Sequence, residues 1–271
     1  TTATDTFNTA VGFLAGGAVT TGANNTLVGG LAGDALTDGN QNVAVGYQSL
    51  SAEIRGDKNI AIGAGALQVQ SNSTDVDALN VAVGHAAGGA ITTGIHNTLI
   101  GGLAGDALSD AYGQNTALGY LALSSDTKGS ASTAIGMNAL TAQNITSSAN
   151  SQNTAVGRSA GATVTSGTNN TIIGCNAGNV GNTSGDLTTG EGNCFLGVQA
   201  SATAQDADYA NAIGFQVQGA AGYTTLGKAG DDIRAAHGNV TWATVSDERY
   251  KKDIADSTAG LSFINALKPR T

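Results

Sequence analysis

Polar and apolar positions along this chain recur in one short phrase, Asn-x-small-aliphatic-Gly-x-x-Ala. It reads NTAVG from Asn8 to Gly12, NTLVG from Asn25 to Gly29, NVAVG from Asn42 to Gly46, NIAIG from Asn59 to Gly63, NVAVG from Asn80 to Gly84 and NTLIG from Asn97 to Gly101. NTALG, STAIG, NTAVG, NTIIG, NCFLG and ANAIG continue it to Gly119, Gly136, Gly157, Gly174, Gly197 and Gly214, and a degenerate TTLG ends at Gly227. The steps from one of these glycines to the next are 17, 17, 17, 21, 17, 18, 17, 21, 17, 23, 17 and 13. A unit of this length with occasional insertions is the arithmetic of a solenoid coil. The pattern predicts an all-β chain: a parallel β-solenoid (β-roll or β-helix) of about 13 coils of ~17 residues over residues 1–227.

A longer period lies above the coil. The step from Gly12 to Gly84 is 72, and that from Gly84 to Gly157 is 73. GGLAGDAL at Gly29–Leu36 returns at Gly101–Leu108, and GAVTTG at Gly17–Gly22 returns as GAITTG at Gly89–Gly94, so a four-coil block has been duplicated.

Each slot of the phrase predicts a place in the coil. The residue before the glycine is aliphatic in every copy, from Val11 to Leu226, and is assigned to an inner apolar ladder. The preceding slot (Ala10, Leu27, Ala44, Ala61 and so on) faces the other way in a strand and is also apolar. A strand apolar on both faces is covered on both. A second copy of the chain is the simplest cover, and three-fold packing that brings the Ala/Leu ladders together makes the expected assembly a homotrimer. Asparagine holds its slot in 10 of 12 full copies, which suits a side-chain amide ladder at a tight, left-handed corner. The glycine, and the alanine three places later, allow a second corner. Rungs about 4.8 Å apart make the shaft about 60 Å long.

Composition narrows the function. The chain has 271 residues with 40 Gly and 1 Pro, 41% hydrophobic, 11% charged and 4% aromatic. That excludes collagen and flexible linkers and points to a stacked array of small aliphatic side chains. Residues 1–226 hold 14 Asp/Glu against 4 Lys/Arg (Arg55, Lys58, Lys128, Arg158), whereas 227–271 hold 6 against 7. So acidic a body does not neutralise phosphates, and no nucleic-acid partner is expected. No apolar run long enough for a membrane span and no signal segment is present, so membrane insertion is not expected either. The start at Thr-Thr-Ala-Thr, without methionine, reads as a fragment or processed product.

Chemistry within the shaft is sparse, and no cofactor or metal is expected. His85 and His96 sit in freely varying slots and are read as solvent-facing. Asp34, Asp38, Asp106 and Asp110 lack the G-G-x-G-x-D pattern of calcium-binding rolls and are read as solvated turn acids. Cys175 and Cys194 have no neighbouring Lys or His in sequence to activate a thiolate and are read as free thiols. Tyr47, Tyr120 and the Thr-rich turns form a surface of the kind that contacts sugars.

After Gly227 the repeat stops. Residues 228–271 form a second, cap-like unit with the only Trp (Trp242) and the only Pro (Pro269). Asn239 to Val245 reads as a strand, Ser246 or Asp247 as a helix cap, and Leu261, Ile264 and Leu267 as an amphipathic helix. WATVSDERYKKDI followed by GLSFINALKPRT resembles the start of the C-terminal intramolecular chaperone domain of phage tail fibres and endosialidase-type tailspikes. The coils are similar to trimeric autotransporter adhesin heads and to shafts that precede such chaperones. The resemblance implies a homotrimeric virion tail component, outside the cell, with other tail proteins and a host surface receptor, including a glycan, as partners. It also implies single-turnover self-cleavage of the Val245–Ser246 bond, with Ser246 as nucleophile and Lys251 as base, helped by Arg249 and Lys252. In that family the domain runs on well beyond the motif. Two other classes share features of the coils. A bacterial trimeric adhesin ends in a stalk and membrane barrel that this C-terminus does not resemble, and a left-handed β-helix acyltransferase needs three hexapeptide units per coil where one is found.

Overall fold

The computed structural model describes residues 6–109, 113–146, 149–179, 181, 185–239, 241 and 243–244. Each copy of the phrase forms one short strand: Thr9–Val11, Thr26–Val28, Val43–Val45, Ile60–Ile62, Val81–Val83, Thr98–Ile100, Thr116–Leu118, Thr133–Ile135, Thr154–Val156, Thr171–Ile173 and Cys194–Leu196, then the longer Asn211–Phe215 and Tyr223–Lys228. We call these rungs 1 to 13. All pair in parallel with equivalent slots opposite one another, as where Leu27 faces Ala44 and Ala44 faces Ala61. The chain is thus an all-β parallel β-solenoid of about twelve turns of ~17 residues, with no helix among the described residues. Thirteen rungs bound twelve turns, one fewer than the coils expected.

The two faces of each strand are the reverse of the sequence expectation. Leu27, Ala44, Ala61, Ala82, Leu99, Ala117, Ala134, Ala155, Ile172, Phe195 and Ala212 are fully buried and line the interior. The aliphatic residues before the corner glycine point outward: Val11 is 59% exposed, Leu118 45% and Leu196 46%. The reason is space. So short a coil leaves a narrow lumen, shared with the inward alanines Ala32, Ala66, Ala87 and Ala104 and with Leu36, Ile91 and Leu108, all fully buried. Alanine fits that lumen at most rungs, and the bulkier branched residues take the outer face.

Asparagine builds the expected ladder. The Asn25 N–H donates to Asn8 Oδ1 at 2.8 Å, Asn42 N–H to Asn25 Oδ1 at 2.8 Å and Asn59 N–H to Asn42 Oδ1 at 2.9 Å. The Nδ2 groups of Asn25 and Asn42 reach across the coil to the carbonyls of Gly39 and Gly56 at 2.8 and 2.9 Å. These asparagines are buried, so each amide satisfies backbone groups that water does not reach. The left-handed residue at this corner, however, is the one before the asparagine, as at Asn24, Gln41, Lys58 and His96, with φ between 57° and 61°. The asparagine follows it, immediately before the strand, and its side chain turns inward.

The corner glycine answers a steric demand. At Gly46 φ is +138°, and an added Cβ would lie 2.5 Å from the Gly63 carbonyl oxygen one rung on. Stacking at this spacing leaves no room for a side chain there.

Beyond rung 13 the sheet continues with reversed polarity. Asp231–Ala236 pairs antiparallel with Tyr223–Lys228, and Ala243–Thr244 pairs antiparallel with Asp231–Ala236. Only Ala243–Thr244 of the expected 239–245 strand is strand among the described residues. The helices expected from Ser246 onward lie outside the described residues.

Candidate interaction face

Alternation along each strand sends two columns outward. The first runs Thr9, Thr26, Val43, Ile60, Val81, Thr98, Thr116, Thr133, Thr154, Thr171, Cys194, Asn211, Thr224, and the second is the aliphatic column from Val11 to Leu226. Neither holds a charged residue. Because the rungs are in register, methyl groups and threonine hydroxyls repeat from rung to rung on one sheet face. Ile60, Ile62, Ile100, Leu118, Ile173, Leu196 and Ile213 are each at least 36% exposed. Exposed aliphatic side chains thus recur along one face of the coil from rung to rung.

Beside it, the slot after the glycine carries exposed rings at Phe13, Tyr47, Tyr120 and Phe215. Tyr47 and Tyr120 lie against the backbones of Gly30 and Gly102 in the rung below, where an added Cβ would be 3.5 and 3.6 Å from the ring. Tyr47 and Tyr120, two of the residues expected to contact sugars, are therefore exposed, in the slot two places on from the aliphatic column.

Other singled-out residues stay apart from one another. His85 and His96 are exposed, as expected. Cys175 and Cys194 are free and partly buried. Arg158 Nη2, one rung below, stands 3.5 Å from Cys175 Sγ, a neighbour the linear sequence did not reveal. Asp38 pairs with Arg55 at 3.5 Å, Arg55 with Asp75 at 3.9 Å and Lys58 with Asp77 at 2.6 Å, all at the surface, where such pairs contribute little. Asp34 and Asp106 each keep one buried carboxylate oxygen without a partner. They are thus less solvated than expected, and burial holds the Asp106 carboxyl above the usual range, opposed by a hydrogen bond from its own backbone N–H. Asp232, under Gly227 at the start of the antiparallel hairpin, is likewise raised by burial; the N–H groups of Gly230 and Lys228 lower it, and the Asp231 charge raises it further. No group of three or more metal-ligating side chains occurs among the described residues. No helix among them is long and apolar enough to cross a membrane. Asp110, and the cleavage residues Val245, Ser246, Arg249, Lys251 and Lys252, lie outside the described residues.

Two buried acids escaped the sequence reading. Glu53 and Asp126 are fully buried in an inward slot that elsewhere holds Leu36, Ile91 or Leu108. Their signal was present: an acid followed one coil later by Gln70 or Gln143, repeated a four-coil block further on, each time just before a longer coil.

No protein-family model, curated protein or solved structure matches this chain.

Proposed function

We propose that this chain is a structural shaft: a homotrimeric rod of a virion tail fibre or tailspike that supports attachment to a host cell. The observation that carries the proposal is the outward, charge-free aliphatic column, in register over thirteen rungs, which a single coil leaves in water. Three copies packed in parallel about a common axis cover three such columns at once, so the surface that joins the copies is the Val/Ile/Leu column and not the Ala/Leu column. The rod geometry suits a spacer that holds a receptor-binding surface away from the virion, and the aromatic slots at Tyr47 and Tyr120 offer a place for a glycan beside the seam. The C-terminal segment resembles a chaperone start, and self-cleavage at Val245–Ser246 by Ser246 and Lys251 belongs to the same reading.

Sedimentation of the purified chain tests the assembly. A trimer is expected, and the double variant Ile100→Lys/Leu118→Lys is expected to sediment as folded monomer with an unchanged far-ultraviolet spectrum. A wild-type chain that remains monodisperse monomer would sink the proposal. Cleavage is read by intact mass: a product ending at Val245, absent in Ser246→Ala, is expected, and the same fragments in both proteins rule Ser246 out.

A further inference from the structure

Just past the inward apolar slot, the chain turns with its N–H groups pointing at the next rung. The N–H groups of Thr20, Thr21 and Gly22 converge on the Thr37 carbonyl oxygen at 2.8, 3.2 and 3.2 Å. Those of Thr165 and Gly167 converge on Thr188, and those of Thr188 and Thr189 on Gln205. Each such turn is a small cup of donors that takes one oxygen from the rung above.

Two coils carry extra residues where that oxygen is supplied. The coils from Gly63 to Gly84 and from Gly136 to Gly157 are each four residues longer than the common unit. In the coil immediately before each, the inward apolar slot is occupied by an acid. Glu53 Oε1 accepts the N–H groups of Ile54, Arg55 and Gly56 at 2.9, 3.1 and 2.8 Å, and that of Asn72 from the longer coil at 3.0 Å. Its Oε2 accepts Gln70 Nε2 and Asn72 Nδ2, both at 2.8 Å. Asp126 repeats the arrangement in part: Oδ1 accepts the N–H groups of Gly129 and Ile145 at 3.0 Å and Oδ2 accepts Gln143 Nε2 at 2.5 Å, while the Lys128 N–H of the same turn reaches the Ile145 carbonyl of the longer coil at 3.1 Å.

A third long coil provides the contrast. The coil from Gly174 to Gly197 is longer still, but its extra residues come before Thr188, whose carbonyl stays in place above the donor cup. The rung below it keeps the apolar Val164. Length alone does not bring the acid; displacement of the oxygen from the turn does.

The first insertion leaves a further mark. Asn59 sits where Asn25 and Asn42 send Nδ2 across the coil, yet its own Nδ2 has no partner. At the equivalent place before the second insertion the sequence has Ser132, whose hydroxyl pairs with Ser151 at 2.8 Å.

We infer that Glu53 and Asp126 are insertion clamps, buried carboxylates that accept turn N–H groups which the carbonyl of the longer coil no longer meets, and so let four extra residues enter the next coil without breaking the stack. All the donors facing Glu53 are N–H groups, so a carboxylate fits and an amide does not. The two clamped loops are thereby the places where this rod varies its surface while keeping its rungs. This inference stands on the coil geometry and not on the shaft's biological role.

A stability cycle on the full chain tests it. Glu53→Leu, and the nearly isosteric Glu53→Gln, are each expected to raise the unfolding equilibrium constant at least 100-fold or to abolish soluble expression. Deleting residues 72–75, which restores the common coil length, is expected to remove most of that penalty when combined with Glu53→Leu. Wild-type stability in Glu53→Gln overturns the inference, as does a combined variant no more stable or soluble than Glu53→Leu alone.

Discussion

The inner and outer faces of one strand offer the sharpest contrast in this molecule. Phe195 and Leu196 are neighbours in rung 11, yet the first is fully buried and the second is 46% exposed. Inward residues are sealed by the chain itself, through stacked alanines and leucines and through the asparagine ladder. Outward residues are as apolar but are left partly exposed among the described residues. In a solenoid, then, hydrophobicity identifies a stacked column without saying whether the column holds the fold or the assembly together.

Substitutions on the two faces can break that contrast, beginning with the largest effect. Phe195→Ala is expected to destabilise the chain by about 3–5 kcal/mol, because the narrow coil cannot collapse around the cavity; denaturant unfolding measures it. Next comes Asn42→Ala, which orphans the Asn59 N–H and the Gly56 carbonyl at about 1–3 kcal/mol each, read by faster amide exchange in rungs 3 and 4. A smaller, pH-dependent effect belongs to the buried acids. Burial raises the folded-state pKa of Asp106 and Asp232, so their contribution is fully present below the unfolded carboxylate value of about 3.9 and is lost as pH rises through the raised folded values. Asp106→Asn and Asp232→Asn should therefore gain stability over wild type at pH 7 and lose that advantage at pH 3, as thermal melts at the two values will reveal. The smallest effect is expected at Leu196→Ser, within about 0.5 kcal/mol in the separated chain, with the loss appearing only as weaker self-association. A cost at Leu196 equal to that at Phe195 would erase the distinction between the faces.

Much of the fold was legible in the sequence because a rung of fixed length must repeat its chemistry in fixed slots. The glycine spacing gave the coils, and the asparagines gave their ladder. The assignment of the faces failed because both strand slots are apolar and branched residues usually fill cores. A parity argument would have corrected it: Asn42 and Ala44 are two residues apart and share a face, so a buried asparagine ladder places the alanines inside. Glu53 and Asp126 were passed over because an isolated acid reads as surface. Only the recurrence of acid and glutamine ahead of each longer coil distinguishes them, and that becomes intelligible once the N–H cups are seen. The hairpin at Asp231–Ala236 had no signal in the repeat, since it begins where the repeat ends.

The in-register stacking has a mechanical consequence. Backbone hydrogen bonds between rungs run along the shaft axis, so a pull on its two ends loads successive rungs in series. Peeling one rung gives up only about 4.8 Å of rod but frees a whole coil, about 58 Å of extended chain. Under tension the shaft yields coil by coil, each released coil lengthening about twelvefold while the remaining coils stay folded.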